Sequence, residues 1–333
     1  MIPLKTSNRS IAAFLDIGTN AIRMLVIQLH ADGKIHVLDQ CRQVLRLGED
    51  TFSAQRIKAD AIQRTALLCR QWVKAARAAG AGDIVAVATS ATRDAQNRRA
   101  FLRRLRTTAG LEVRVLSGED EARLIYLGVS RNMDMQEQQA LFLDIGGGST
   151  EVIIGDRQAP RYLATLNLGA IRLSHQLLKA TIEHPVSPAL YRRLQDRVRA
   201  RAQRVLQRLR RYQTDMVFGS SGTIMSLADI AMRHNLNRQL QCPETISLQR
   251  LQQVIRKLCS LPLAQRRQVP GLQPDRADII IGGAAILETF MQELQARTIT
   301  VSDHSLRDGL VQEHLALHFP GVANTTAPYP TTH

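Results

Sequence analysis

Apolar residues in this chain follow two periods. Short, nearly uninterrupted apolar runs read as buried strands, and stripes at three- and four-residue spacing read as helices. The strand-like runs are 12–18 (AAFLDIG), 22–29 (IRMLVIQL), 35–45, 84–91 (IVAVATSA), 111–116 (LEVRVL), 140–146 (ALFLDIG), 151–155 (EVIIG), 161–169 (RYLATLNLG), 216–219 (MVFG) and 298–303 (TITVSD). The helical stripes cover 54–79, where Ile62, Ala66, Cys69, Val73 and Ala76 line up before Gly80, and a basic stretch at 95–109. A helix opens in SGEDEARLIYLGV, another spans 188–211 with Leu194, Val198, Ala202, Val205 and Leu209 on one face, and another runs from SSGT to about Met232. Further stripes lie at 247–259, 276–296 and 305–318, and the Pro- and Thr-rich segment 319–333 reads as a disordered tail.

The pattern repeats. Phe14, Leu15, Asp16, Ile17 and Gly18 align with Phe142, Leu143, Asp144, Ile145 and Gly146 at an offset of 128 residues. In each copy an apolar strand ends in Asp, a small polar turn follows, and a second strand begins. The alternation of strands and helices predicts an α/β fold of two duplicated domains with a ligand cleft between them. The expected boundaries are 1–124 and 125–304, with the final helix packing back on the first domain.

Charge narrows the partners. Across 333 residues, 44 Lys and Arg oppose 29 Asp and Glu, a net charge of +15 that attracts polyanions. Arg predominates among the cations and can clamp phosphate through two parallel hydrogen bonds. Aromatic residues make up 4% of the chain, leaving little for base stacking, so phosphate is favoured over nucleic acid. No apolar run approaches bilayer length, so no membrane partner is expected, and no secretory signal is visible. The scattered Cys41, Cys69, Cys242 and Cys259 read as reduced thiols of a cytoplasmic protein.

Three small-residue turns follow apolar strands: Asp16–Asn20, Asp144–Thr150 and Gly219–Thr223. Glycine lets backbone N–H groups approach a phosphate oxygen, and Ser or Thr adds hydroxyl donors. One such turn means little; three, two of them duplicates, point to phosphate. They lack the Gly-Lys-Ser/Thr of a P-loop, and strands follow the first two where a dinucleotide fingerprint needs a helix. Asp16 and Asp144 are either turn caps or ligands that place a divalent metal beside phosphate, with Glu151 near enough to help. Glu119, Asp120 and Glu121 suit a helix start, and one of them could instead orient an attacking water. Arg23 and Arg93 sit beside the first turn and after the 84–91 strand; in so Arg-rich a chain either could be background. The nine arginines within 188–211 (Arg192, Arg193, Arg197, Arg199, Arg201, Arg204, Arg208, Arg210 and Arg211) read as a solvated face or a polyanion contact. His304 and the other histidines show no metal-ligand spacing, and no Gly-x-Ser-x-Gly elbow is present.

Taken together, FLDIGTNAIRMLV, ATSATRDA, SGEDEARLIYLGV, FLDIGGGSTEVIIG, FGSSGTI and PDRADIIIGGAAIL resemble the exopolyphosphatase/guanosine pentaphosphate phosphohydrolase family, over about residues 11–315. That resemblance implies two actin-like (ribonuclease H-like) lobes enclosing a phosphate cleft, as in actin, sugar kinases and heat-shock chaperones. It implies removal of terminal phosphates by water with Mg²⁺ or Mn²⁺. It assigns Glu121 to water activation, and Asp144, Glu151 and Asp16 to the metal. Phosphate contacts fall to Thr19, Asn20, Arg23, Arg93, Gly146, Gly147, Gly148, Ser149, Thr150, Ser221, Gly222 and Thr223. Ala21 stands where family members commonly carry a hydroxyl. The chain has no His-Asp dipeptide and resembles the short, two-domain members; a homodimer is left open. The substrate expected first is inorganic polyphosphate, then guanosine pentaphosphate, which would yield the tetraphosphate. An actin-fold kinase and an Arg-rich polyanion-binding protein are the rivals from other classes.

Overall fold

Both AxFLDIG runs form central strands. A computed structural model describes residues 9–30, 34–135, 138–236 and 238–319. Among them, β1 (Arg9–Ile17), β2 (Ala21–His30), β3 (Ile35–Val44), β4 (Asp83–Ala88) and β5 (Arg114–Val115) make one sheet, ordered β3-β2-β1-β4-β5. A second sheet is built from β6 (Ala140–Ile145), β7 (Thr150–Gly155), β8 (Pro160–Leu166), β9 (Met216–Ser220), β10 (Glu244–Ser247) and β11 (Thr298–Val301), ordered β10-β11-β9-β6-β7-β8. In each, the first three strands run antiparallel and the next pairs parallel with the first strand of the repeat. This is the duplicated actin-like α/β arrangement, with β10 added as an antiparallel edge that the sequence pattern did not suggest. Every residue of β6 and β7 is buried, as expected of strands covered on both faces.

The chain divides into two compact units: residues up to Ser117 with the segment from Leu306 onward, and Gly118–Ser305. The first boundary precedes residue 124 because the helix Gly118–Ser130 buries Leu124, Ile125 and Tyr126 against β7 and β8 of the second unit. The helix Leu306–His318 packs on β1 of the first unit. The two helices make one contact of the same kind. His314 meets Phe14 edge-on at 5.5 Å, and Tyr126 meets Phe142 edge-on at 5.4 Å; the two phenylalanines are equivalent positions of the repeat.

Several expected elements change length. The 84–91 strand stops at Ala88: Thr89 N–H makes the last ladder bond, to the Ile17 carbonyl at 3.3 Å, and Ser90–Asp94 then turns into a short helix. The long 54–79 stripe shortens to Ala59–Ala78, because a separate helix, Gly48–Ala54, which the pattern did not suggest, ends at Gln55 with φ 54°. The 188–211 stripe becomes Pro188–Leu209, capped by the Ser187 hydroxyl, with Leu206 rather than Val205 in the core. The 276–296 stripe shortens to Ile280–Glu293, preceded by a 3-10 turn at Pro274–Arg276. Beyond Phe319 the expected disordered tail lies outside the described residues. All four cysteines are free, and burial pushes the thiols of Cys69, Cys242 and Cys259 up to about 12. Among the described residues no helix is long and apolar enough to cross a membrane.

The second unit contains an internal staple. Arg266, 1% exposed, donates to the carbonyls of Leu258 (3.1 Å), Ala277 (3.1 Å), Leu261 (2.9 Å) and His184 (3.4 Å). Its bond to Ala277 holds the segment following the Pro274–Arg276 turn. Removing the guanidinium strands these buried carbonyls. Arg266→Met is therefore expected to lower unfolding free energy by about 3 kcal/mol or more in urea denaturation. Arg266→Lys is expected to recover only part of this loss, because one ammonium cannot reproduce the planar fork.

Candidate functional site

The second sheet lines up polar residues across four strands. In register, Ser220 of β9 faces Asp144 of β6, Asp144 faces Glu151 of β7, and Glu151 faces Thr165 of β8. Directly opposed antiparallel residues share a face of the sheet. Asp144 and Glu151 are 7% and 1% exposed, so two carboxyl groups stand opposite one another in the interior. The Ser220 hydroxyl donates to Asp144 Oδ2 at 2.6 Å. At the other end of the row, the Thr165 hydroxyl donates to the Gly118 carbonyl at 2.7 Å. That bond sets the start of the Gly118–Ser130 helix on this same face. Of the three acids in its first turn, Glu119 and Asp120 are exposed and Glu121 is buried. The burial distinguishes Glu121 from its two exposed neighbours.

The loop after β6 is shaped by its carbonyls. Gly146 C=O accepts from Ala170 N–H at 2.9 Å, and Gly147 C=O from Ile171 and Arg172 N–H at 2.8 and 3.1 Å. Gly148 C=O accepts from Arg172 Nε at 2.7 Å. In a trans peptide the N–H of the next residue points opposite to the C=O. The N–H groups of Gly147, Gly148 and Ser149 are therefore turned away from the helix Ala170–Leu177, an arrangement that suits an anion cradle. Thr150 is different: it is fully buried in β7 and spends its hydroxyl on the Leu168 carbonyl at 2.6 Å. It braces the loop.

The third turn sits beside the first two members of the row. Ser221, at φ 88°, donates its hydroxyl to the Ile145 carbonyl at 2.8 Å, so this side chain also acts as a brace. Gly222 is where Arg276 lies: a Cβ there would sit 2.0 Å from Arg276 Nη2. Arg276 is 6% exposed and donates through Nε to Gln273 at 3.0 Å. Thr223 is buried behind this contact.

In the first unit the equivalent row has the opposite sign. Asp16 of β1 faces Arg23 of β2, which faces Arg42 of β3. Arg23 lies 3.9 Å from Asp16, and Arg307 in the first turn of Leu306–His318 adds a second cation. Burial pushes the Asp16 carboxyl up from its usual range, and the charges of Arg23 and Arg307 pull it back. Nε and Nη1 of Arg307 are buried without a hydrogen-bond partner among the described residues. Both amide atoms of Asn20 are buried and equally unserved. A buried donor without a partner costs about 1–3 kcal/mol, which a bound oxyanion would relieve at Arg307 Nε and Nη1 and at Asn20 Nδ2. The Thr19 hydroxyl accepts from Ala91 N–H at 3.2 Å, tying the first turn to the short helix that carries Arg93; Arg93 itself donates to the Leu116 carbonyl at 3.0 Å.

The expected residues thus fall into two sets, each within its own unit: Asp16, Thr19, Asn20, Arg23 and Arg93 in one, and Glu121, Asp144, Gly146–Glu151, Ser221, Gly222 and Thr223 in the other. Ser220, Arg276 and Arg307 join them without having been singled out. Arg276 lies within a segment, PDRADIIIGGAAIL, whose pattern had been noted, whereas Arg307 depends on where the last helix packs. The opposed carboxylates Asp144 and Glu151 offer hard oxygens that suit Mg²⁺. Among the described residues no three His, Cys, Asp or Glu side chains gather around one point. A cation there would take its other ligands from water and substrate oxygens, as Mg²⁺ usually does. Asp16, between two arginines, is less suited to that task.

The cradle rests on Gly169, where an added Cβ would come within 2.5 Å of Gly147 C and Gly148 N. Backbone against backbone leaves no flexible side chain to yield. Gly169→Ala is expected to cut phosphate release by about 10²-fold through displacement of the loop. Steady-state assays with a thermal melt as control check this, and an unchanged rate contradicts the placement of the cradle.

The chain resembles known proteins over most of its length. Exopolyphosphatase 1 of Mycobacterium tuberculosis is 31% identical over 313 residues, 93% of this chain and 89% of the relative. The Mycobacterium leprae exopolyphosphatase 1 is 28% identical, covering 93% of this chain and 91% of the relative. Among solved structures, an exopolyphosphatase from Cytophaga hutchinsonii superposes with TM-score 0.86 at 23% identity, covering 92% of this chain and 98% of that one. The Aquifex aeolicus member of the Ppx/GppA family superposes with TM-score 0.77 at 25% identity, covering 93% and 99%. The model of the Ppx/GppA phosphatase family matches residues 26–318, and the chain belongs to that family.

Proposed function

We propose that this protein is an exopolyphosphatase that releases the terminal phosphate of linear polyphosphate. The observation that carries the reading is the inversion of charge between two copies of one hairpin: Asp16 faces Arg23, whereas Asp144 faces Glu151. A basic row suits a phosphate chain, and an acidic row beside an amide cradle suits activation of water at its end. The similarity to curated exopolyphosphatases supports polyphosphate as the substrate.

In this mechanism the N–H groups of Gly147, Gly148 and Ser149, with Arg276, hold oxygens of the terminal phosphoryl group. Within the first unit, Asn20, Arg23, Arg93 and Arg307 supply donors suited to phosphate oxygens. Glu121 accepts a proton from a water whose oxygen attacks the terminal phosphorus in line. The bridging P–O bond breaks, and the shortened chain leaves with the bridging oxygen and its electron pair. Mg²⁺ or Mn²⁺ held by Asp144 and Glu151 would neutralise charge on the phosphate oxygens. Ser220 holds Asp144 in place for this role. The free thiols fit a reducing compartment such as the cytoplasm.

Phosphate release from polyphosphate, guanosine pentaphosphate and ATP, compared side by side, tests the substrate. Release from polyphosphate exceeding that from both others supports the proposal, a preference for guanosine pentaphosphate replaces it, and ATP turnover only with an added acceptor makes the protein a kinase. Glu121→Gln is expected to lower phosphate release by about 10²–10⁴-fold, the range for a positioned base. Polyphosphate binding should survive within a few-fold. A variant retaining more than about a tenth of the wild-type rate contradicts this role for Glu121.

A further inference from the structure

On the helix Pro188–Leu209 the arginines other than Arg192, which lies on the Glu293 side without an ion pair among the described residues, divide by their partners. At about 100° per residue, Leu194, Val198, Ala202, Leu206 and Leu209 cover one arc, and all are buried. Arg199 and Arg210 fall on a second arc, where both pair with Glu293 at 2.8 and 2.7 Å. The helix's one acid, Asp196, also pairs with Arg199, at 3.1 Å. Arg193, Arg197, Arg201, Arg204 and Arg208 occupy the remaining arc, about 80° wide. All five are exposed, and none forms an ion pair among the described residues. Their spacing of four, four, three and four makes one file of cations about 22 Å long.

Neighbouring cations at these spacings repel one another and oppose the helix. A face kept merely wet would intersperse acids, as the Glu293 side does. The file carries no aromatic residue, so it offers phosphate contacts without base stacking. We propose that this arginine file is an accessory binding track for long linear polyphosphate, holding phosphates other than the one being cleaved. The inference rests on the reading of polyphosphate as substrate and adds chain-length recognition to it. Short chains lack the phosphates to fill both the track and the reaction site, so the track raises affinity for long chains alone.

The test separates binding from turnover. Dissociation constants for polyphosphate of roughly a hundred units and for tripolyphosphate are measured in the Glu121→Gln protein across a salt series. Measurements are repeated with Arg197, Arg201, Arg204 and Arg208 all changed to Gln, or all to Lys. For long chains the Gln set is expected to flatten the slope of log affinity against log salt by about 2–4, as lost phosphate contacts require, with the Lys set keeping most of it. Tripolyphosphate binding, and its hydrolysis by the Gln set with Glu121 intact, should stay unchanged. An unaltered slope for long chains overturns the proposal. So does stripe-dependent binding of single-stranded RNA or of phosphatidylserine vesicles that exceeds binding of long polyphosphate. Failure to release phosphate from any polyphosphate would instead overturn the functional reading, while the binding series still reports on the track.

Discussion

Two carboxylates face each other across the β6–β7 hairpin, and most of the site depends on that fact. Asp144 and Glu151 are register partners with almost no exposure. Like charges set directly opposite are unfavourable in a sheet, and burial makes them more so. The fold nevertheless holds them there with neighbours on both sides: Ser220 bonds Asp144, and Thr165 seats the helix that buries Glu121. On our proposed mechanism a divalent cation would lie against both carboxyl groups and offset that opposition.

The duplication shows how one scaffold makes two kinds of site. Strand order, turn and supporting helix recur in both units, down to the edge-on contacts at Phe14 and Phe142. The charges do not recur. Arg23 stands where the second copy has Glu151; Arg307 acts on Asp16 in one row, and Thr165 of the other seats the helix that carries the buried Glu121. Acidic and basic chemistry therefore follow from a few side chains on a shared frame, in keeping with function residing in sites grafted on folds.

Much of this was legible along the chain because the signals are local. Apolar strands closed by Asp and followed by Gly, Ser and Thr announce themselves within a dozen residues, and the repeat announces the duplication. Hydroxyl roles were less legible. Thr150 and Ser221 looked like phosphate donors by type, yet their oxygens are engaged by the Leu168 and Ile145 carbonyls, a matter of which backbone lies opposite. Arg276 and Arg307 reach their sites only through tertiary packing, to which periodicity is blind. The boundary at Ser117 has the same cause: the apolar face of the next helix does not say which sheet it will cover. In the long basic helix, periodicity identified the buried face but not the split between arginines paired with Glu293 and those left to solvent.

The claim that a divalent cation joins the Asp144–Glu151 pair is tested most directly by thermal melting of wild type and Glu151→Gln, each in EDTA and in Mg²⁺. The account predicts that the variant melts above wild type in EDTA, because one of the opposed charges is gone. It predicts that Mg²⁺ raises the wild-type melting temperature and leaves the variant almost unmoved. A variant that melts below wild type in EDTA, with wild type indifferent to Mg²⁺, would contradict it.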